Sequence, residues 1–196
     1  MKWSILTVTL DDRKVMFDKL KDKIAKQIHD CGADEEIEHL YLSDDYLYPV
    51  GFKRNQLVAA ADGEYVSAVD DDDEISDDYV SSVYNILKNS SPDCIGITGI
   101  ITFEGLHPKV FIHSTRYDQY SEDDKAYYRP PNHLNIIKKE ILSKYPFAAI
   151  SRGEDADIAM RMARDKVIKT EVFIDKVIYY YRFSPSQSST HWVERD

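Results

Sequence analysis

The sequence has little cysteine and no long apolar run. Its 196 residues include two cysteines, Cys31 and Cys94, without CxxC spacing. Two cysteines are too few for a disulfide framework, so we expect structural thiols and a cytoplasmic protein. No apolar run reaches the roughly 20 residues of a transmembrane helix. The first residues, MKWSILTVTLDD, turn acidic before the apolar part of a signal peptide is complete, which predicts that the protein is not secreted.

Positive charge is also scarce. Lys and Arg number 25 against 35 Asp and Glu, which gives a formal net charge of −10. A field of that sign repels polyanions, so broad nucleic-acid binding is disfavoured. Any anionic partner has to be met locally, by a metal ion or by a few basic side chains. A small basic face could still bind a phosphate backbone, and the candidates for it are Lys138, Lys139, Arg161 and Arg164.

The composition, with 43% hydrophobic and 31% charged residues, is typical of a soluble globular protein. The length suits one domain with its own core. In the first half, three apolar strand-like runs each precede a segment with helical periodicity; the runs are WSILTVTL, IEHLYL and YVSAV. This alternation predicts a three-layer α/β/α fold with a mostly parallel central sheet.

The rhythm changes from residue 94 onwards. CIGITGII and KVFIHS flank the turn-rich FEGLHP, which predicts a β-hairpin. Residues 115–132 show no period and are polar, which predicts a long mobile loop over a site. The expected elements after this loop are a strand and short helix at HLNIIKKEIL, a helix at RGEDADIAMRMARD, and two strands at VIKTEVFI and KVIYYYRF. The second half therefore predicts a mixed α+β arrangement.

An acidic run follows the third predicted strand. In VDDDDEISDDY, seven of the nine residues from Asp70 to Asp78 are acidic. Ligands of open α/β sheets bind at the carboxyl ends of strands, and adjacent carboxylates repel unless a cation lies among them. Mg²⁺ takes one or two carboxylates and completes its shell with water and phosphate oxygens. Alternation along a strand places Asp70 and Asp72 on one face, which favours them as a metal-binding pair.

The acidic run has two other interpretations. A solvated acidic loop that caps the next helix is an alternative that the run alone leaves open. A calcium-binding EF-hand loop fails on its spacing, because Ile75 occupies the sixth position, where that loop requires Gly.

The stretch GFKRNQLVAAADGEYVSAVDDDDEISDDY resembles the core of a family-2 glycosyltransferase of the GT-A type, with its basic helix, its Ala and Gly before a strand, and its DxD signature. RGEDADIAMRM resembles the family's ED motif, and SILTVTLDDR its first strand, so the likeness covers roughly residues 3–165. The resemblance implies a GT-A (nucleotide-diphospho-sugar transferase) fold. We expect one domain over residues 1–196, with a nucleotide-sugar-binding half at 1–93, an acceptor-side half at 94–183 and a polar tail at 184–196.

The resemblance also implies which residues meet the donor and the metal. The residues that it places around the nucleotide sugar are Thr9, Asp11, Asp44, Lys53, Arg54, Asp70 and Asp71. Asp72 matches the direct ligand of Mn²⁺ or Mg²⁺, with Asp70 beside it. Many GT-A enzymes complete the metal sphere with a late histidine, which makes His191 a third candidate ligand. Its neighbours, SSTHWVERD, match no firm motif, so a tail histidine without a ligand role is the alternative.

The ED motif supplies the catalytic candidates. Asp155 matches the family's catalytic base, and Glu154 is the second candidate. An acceptor hydroxyl needs a positioned base, and a carboxylate in the first turn of a helix stays ionised there. Spacing alone does not choose among these two and Asp157. Acceptor contacts are expected from His133, which a core-edge role would explain equally well, and from the loop tyrosines Tyr117, Tyr120, Tyr127 and Tyr128.

The resemblance predicts a metal-dependent glycosyltransferase that uses a nucleotide-diphosphate sugar, with a UDP-sugar favoured, and inverts the anomeric carbon. A nucleotidyltransferase is one alternative, but TVTLDDRK lacks the Gly-rich phosphate loop of that class. A non-catalytic module that binds nucleotide sugar or metal is the other, and the ED motif argues against it. The acceptor, whether a glycan, a protein or a modified base, is left open.

Overall fold

One mixed sheet runs through the part of the chain that this computed structural model describes, residues 2–184. Its strands are β1 (Trp3–Leu10), β2 (Ile37–Asp44), β3 (Tyr65–Ala68), β4 (Glu74–Ile75), β5 (Cys94–Phe103), β6 (Leu106–His113), β7 (Ser121–Glu122), β8 (Ala126–Arg129), β9 (Ile136–Lys138) and β10 (Glu171–Phe183). The helices are α1 (Lys14–Asp30), α2 (Val50–Ala60), α3 (Tyr79–Asn89), α4 (Lys139–Leu142) and α5 (Glu154–Arg164). A 3-10 turn at Asp11–Arg13 joins β1 to α1.

The order of the strands separates a parallel part from a mixed part. β1 lies between β2 and β3 and is parallel to both. β9 pairs antiparallel with β3 and with β5, and β5 forms an antiparallel hairpin with β6. β10 runs parallel to β5 and antiparallel to β4. The predicted hairpin and the change of architecture at residue 94 are therefore confirmed.

Two apolar clusters on opposite faces of the sheet establish the three layers. Trp3 and Ile5 of β1 pack in one cluster with α1 and α3, whereas Leu6 packs in the other with α2, α4 and α5. This alternation is the period of two expected of a strand that is buried on both faces. The periodic positions of α1, among them Leu20 and Ile24, face the first cluster. No helix within residues 2–184 is long and apolar enough to cross a membrane.

Two predicted elements differ from the structure. Residues 115–132 are not loop throughout, because β7 and β8 form a short antiparallel pair there and β8 also pairs with β6. Strands this short leave too little sequence to show a period. The two strands predicted near the C-terminus are one, β10, with shifts of register between Phe173 and Tyr179. The exposed residues Asp175 and Lys176 lie at this irregularity, which explains why the sequence suggests a break.

A close backbone approach brings α2 against the segment that precedes α5. The N–H of Gly51 donates to the carbonyl of Ile150 at 3.0 Å. A Cβ at Gly51 would lie 1.8 Å from the carbonyl oxygen of Ala148 and 3.3 Å from the Cβ of Glu154. Only glycine fits this approach, which places Arg54, one turn further along α2, within reach of Glu154.

Candidate functional site

A cavity of about 220 Å³ opens at the carboxyl ends of β1 and β3. The predicted site residues that line it are Thr9, Lys53, Arg54, Asp70, Asp71, Asp72, Tyr127, His133, Glu154 and Asp155. Segments far apart in sequence deliver them: the end of β1, helix α2, the turn after β3, the residues before β9 and the first turn of α5. The structure therefore brings the predicted DxD and ED motifs to one cavity.

Asp70 is held from two sides. Its Oδ1 accepts from Arg54 Nη2 at 2.8 Å, and its Oδ2 lies 3.2 Å from His133 Nε2. Burial acts to raise the pKa of Asp70, but the charges of Arg54 and His133 outweigh it and hold that pKa well below its usual range. Asp70 is therefore an ionised carboxylate in a fixed orientation.

Arg54 connects the two motifs. Its Nε lies 3.3 Å from Glu154 Oε1, so one buried guanidinium bridges Asp70 and Glu154. Arg54 Nη1 and His133 Nδ1 have no hydrogen-bond partner among the described residues. Both side chains also border a small void of about 10 Å³, which is close to the space of one water molecule.

Asp71 is committed to contacts within the protein. Its Oδ2 accepts from Thr9 Oγ1 at 2.7 Å and its Oδ1 from Arg13 Nη1 at 2.7 Å. Burial raises the pKa of Asp71, and the neighbouring Arg13 opposes that rise. Asp71 and Thr9, which the sequence assigned to the donor nucleotide, thus also tie the end of β3 to the end of β1.

Asp72 has the electrostatics of a cation ligand. Burial, followed by the negative charge of Asp70, raises the pKa of Asp72 to about 6. Its salt bridge to Arg13, at 3.3 Å, leaves this excess of negative potential in place. Hard carboxylate oxygens in such a field fit Mg²⁺ or Mn²⁺. Within residues 2–184 no group of three His, Cys, Asp or Glu side chains is arranged as a metal site. An ion held by Asp72 and Asp70 would have to complete its shell with ligands other than these side chains.

Asp73 anchors the acidic turn to β10. Its Oδ2 accepts from Tyr179 Oη at 2.7 Å, and its Oδ1 accepts from the backbone N–H of Arg182 at 2.9 Å. Burial and the charges of Asp70 and Asp72 raise the pKa of Asp73 well above its usual value. These contacts fix the backbone that presents Asp70 and Asp72.

Asp44 and Lys53 form a buried ion pair. Lys53 Nζ lies 2.6 Å from Asp44 Oδ1, and Asp44 Oδ2 accepts from the backbone N–H groups of Leu47 and Tyr48. Lys53 lines the cavity, whereas Asp44 does not. Both oxygens of the predicted base-reading carboxylate are therefore engaged in closing the loop between β2 and α2.

Two further predicted residues are not among those that line the cavity in the described part of the chain. Asp11 is exposed, accepts a hydrogen bond from Ser43 Oγ and does not line the cavity. His191 lies outside the described residues. The sequence signals for both were position alone, at a strand end and in the C-terminal tail.

The three carboxylates at the start of α5 have different surroundings. Gly153, with φ of 83°, lets the chain turn into the helix. Glu154 is buried against Arg54. Asp157 does not line the cavity and forms an ion pair with Arg161 at 2.7 Å. Asp155 lines the cavity, and its carboxylate makes no hydrogen bond or ion pair with another side chain in the described part of the chain. Geometry therefore favours Asp155 as the reactive carboxylate.

Three basic residues that line the cavity were not predicted from the sequence: Arg13, Arg129 and Arg152. Arg13 and Arg152 directly adjoin recognised motifs, at LDDR and RGED, and that adjacency was the available signal. Arg129, in YYRPPN, gave none, because only the pairing of β8 with β6 places it at the cavity.

The predicted basic face is largely neutralised. Lys138 pairs with Asp93 at 3.0 Å. Arg161 pairs with Asp157 at 2.7 Å, and Arg164 pairs with Asp165 at 2.8 Å. These carboxylates leave little positive charge for a phosphate backbone.

Comparison with known proteins supplies the family. The model of glycosyl transferase family 2 matches residues 24–168. No curated protein sequence matches the chain. Among solved structures, S. aureus TarS 1-349 in complex with UDP-GlcNAc superposes with a TM-score of 0.64 at 16% identity, covering 93% of this chain and 59% of that one. The complex of TarS 1-349 with UDP gives 0.64 at 18% identity, covering 94% and 61%.

A second neighbour is the catalytic domain of Drosophila beta1,4galactosyltransferase 7 in complex with xylobiose, with a TM-score of 0.56 at 11% identity, covering 91% of this chain and 70% of that domain. At these identities the neighbours show the fold, and the chain spans about three fifths of TarS 1-349. The GT-A fold and the resemblance seen in the sequence are thereby confirmed. This chain belongs to glycosyl transferase family 2.

Proposed function

We propose that the chain is a metal-dependent, inverting glycosyltransferase that moves a sugar from a nucleotide-diphosphate sugar to an acceptor hydroxyl. The observation that carries the proposal is that the acidic turn after β3 and the carboxylate of Asp155 line the same cavity. The TarS complexes with UDP-GlcNAc and UDP support a UDP-sugar as the favoured donor.

The donor nucleotide binds along the ends of β1 and β3. Thr9, Lys53 and Arg54 line this wall of the cavity. Asp11 and Asp44 do not line the cavity, so they meet the nucleoside only where it extends beyond the cavity toward β2. Asp71 acts on the donor through the orientation of Thr9.

Asp72, with Asp70, is the residue that would hold Mn²⁺ or Mg²⁺. The raised pKa of Asp72 and its oxygen donors support this assignment. When bound, such an ion supplies Lewis-acid stabilisation of the charge on the leaving diphosphate. His191 remains a predicted third ligand from outside the described residues.

Asp155 acts as the general base. It takes the proton from the acceptor hydroxyl while that oxygen forms a bond to the anomeric carbon. The bond from that carbon to the diphosphate oxygen breaks on the opposite face, and its electron pair leaves with the nucleoside diphosphate, so the configuration inverts. Glu154 is a positioning residue, because its ion pair with Arg54 fixes the start of α5 against the donor wall.

A screen of nucleotide sugars by thermal unfolding, with and without Mn²⁺, tests this proposal. We expect a UDP-sugar with Mn²⁺ to stabilise the protein by about 2.7 kcal/mol at a hundredfold excess over its Kd. Asp72→Asn removes the part that depends on Mn²⁺, whereas the matched control Asp157→Asn keeps it. If no nucleotide sugar stabilises the wild-type protein in the presence of metal, the proposal is wrong.

A further inference from the structure

The basic side chains that line the cavity fall into two sets. On the donor wall, Arg13, Lys53 and Arg54 each pair with protein carboxylates, with shortest distances of 2.7, 2.6 and 2.8 Å. Their charges are thereby balanced by the protein itself, and the donor diphosphate adds negative charge that the metal must meet.

Arg129 and Arg152 form the second set. Both line the cavity, and neither has a carboxylate within ion-pair distance in the part of the chain described, residues 2–184. Among the basic residues that line the cavity they are the exception, in a protein that has ten more acidic than basic side chains. The guanidinium of Arg129 is half-buried, and burial of a charge without an anionic partner costs free energy. A ligand that supplies the anion therefore gains binding free energy.

The guanidinium of Arg129 is held in place by aromatic rings. Its central carbon lies 5.1 Å from the ring centroid of Tyr120 and 5.8 Å from that of Tyr127. Contact with an aromatic ring uses a face of a guanidinium, and its N–H donors, which lie in the plane, stay available for an acceptor. A planar edge with fixed donors matches the paired oxygens of a phosphate or a carboxylate.

This pair of arginines borders the proposed base. Arg152 lies three residues before Asp155, on the segment that leads into α5. Burial, followed by the negative charge of Asp155, raises the pKa of Tyr120 to about 12, which places the ring stacked on Arg129 in the field of that carboxylate. Arg129, Arg152 and Asp155 all line one cavity, so an anion bound by the two arginines shares that cavity with the proposed base.

We propose that the acceptor carries an anionic group, a phosphate or a carboxylate, close to its reacting hydroxyl, and that Arg129 and Arg152 bind this group. The inference deepens the proposed function and rests on it. Arg129 provides the oriented contact and Arg152, which is exposed at the rim, adds charge.

The test uses the full chain loaded with UDP and Mg²⁺ and titrated with two pairs of probes. Glycerol 3-phosphate is compared with glycerol, and glucuronate with glucose, by calorimetry. We expect at least one anionic probe to bind about tenfold or more tightly than its neutral partner, and the better pair identifies phosphate or carboxylate as the group recognised. Arg129→Gln removes this preference and leaves UDP affinity unchanged, and Arg152→Gln reduces it.

Two variants control the test. Arg116→Gln removes another stacked guanidinium, which lies 4.5 Å from the ring of Phe173 and does not line the cavity, so the preference for anions persists. Arg129→Lys retains the charge but loses the planar donors, so a folded protein with a weakened preference is expected.

Equal binding of anionic and neutral probes, binding of none of them, or a preference that survives in Arg129→Gln overturns the inference while UDP still binds. Failure of the wild-type protein to bind UDP overturns the proposed function instead.

Discussion

Arg54 serves two carboxylates from a buried position, so its removal has a large cost. Arg54→Ala leaves Asp70 and Glu154 as buried charges without their shared partner. We expect the free energy of unfolding to fall by about 3 kcal/mol or more. Urea denaturation measures this loss. The matched variant is Arg164→Ala, which removes an exposed pair with Asp165 and loses less than about 1 kcal/mol. Equal losses in the two variants contradict the bridging role.

His39, which does not line the cavity, makes the free energy of unfolding depend on pH. Burial, followed by the charge of Lys21, lowers the pKa of His39 from 6.5 to about 4. Between these values the unfolded chain binds a proton that the folded chain does not, so this contribution is complete above about pH 6.5 and is lost as the pH falls toward 4. Replacing His39 by Gln flattens that fall by up to roughly 3 kcal/mol.

Urea denaturation of wild type and His39→Gln across this pH range checks the prediction. His29→Gln, at an exposed histidine, is the control and keeps the wild-type slope. If His39→Gln has the same dependence on pH as the wild-type protein, the buried histidine is not the cause.

At the scale of elements, the contact between α2 and the segment before α5 depends on Gly51. Gly51→Ala places a methyl group 1.8 Å from a backbone oxygen that cannot rotate away. We expect a loss of about 2 kcal/mol in the free energy of unfolding, together with weaker donor binding because Arg54 moves away from Glu154. Gln56→Ala, on the exposed side of the same helix, changes stability by less than about 0.5 kcal/mol. A Gly51→Ala protein as stable as Gln56→Ala contradicts the close approach.

Periodicity predicted the elements whose burial is regular and failed where it is not. β1 is buried along nearly its whole length and α1 shows its apolar face at helical spacing, so both are evident in the sequence. β7 is only two residues long, and β10 is irregular around Asp175, so their pairing depends on neighbouring strands that are distant in sequence. Local patterns do not carry that information.

The candidate site was predictable where a side chain follows a strand or opens a helix. Asp72 and Asp155 meet that condition and line the cavity. The ion pairs of their neighbours Glu154 and Asp71 were not predictable, because Arg54 reaches Glu154 across 100 positions and Arg13 reaches Asp71 across 58. The ion pair between Asp44 and Lys53 was not evident from the strand-end position of Asp44, and its contact with the donor stays a prediction.

The whole molecule carries a net charge of −10, so the few basic side chains that line the cavity determine where an anionic ligand can bind. Those on the donor wall are balanced by carboxylates, and those beside Asp155 are not. Donor and acceptor therefore meet different electrostatic environments within one cavity. The cytoplasmic location, and the single domain over residues 1–196, stay predictions.

We propose that Asp155 deprotonates the acceptor and that donor binding does not depend on this residue. The measurement is turnover of the UDP-sugar found by the screen, alongside UDP affinity, in Asp155→Asn and in the control Asp157→Asn. We predict that Asp155→Asn binds UDP with Mn²⁺ as the wild-type protein does but loses about a hundredfold or more in kcat, while Asp157→Asn keeps its rate. Unchanged kcat in Asp155→Asn contradicts the account.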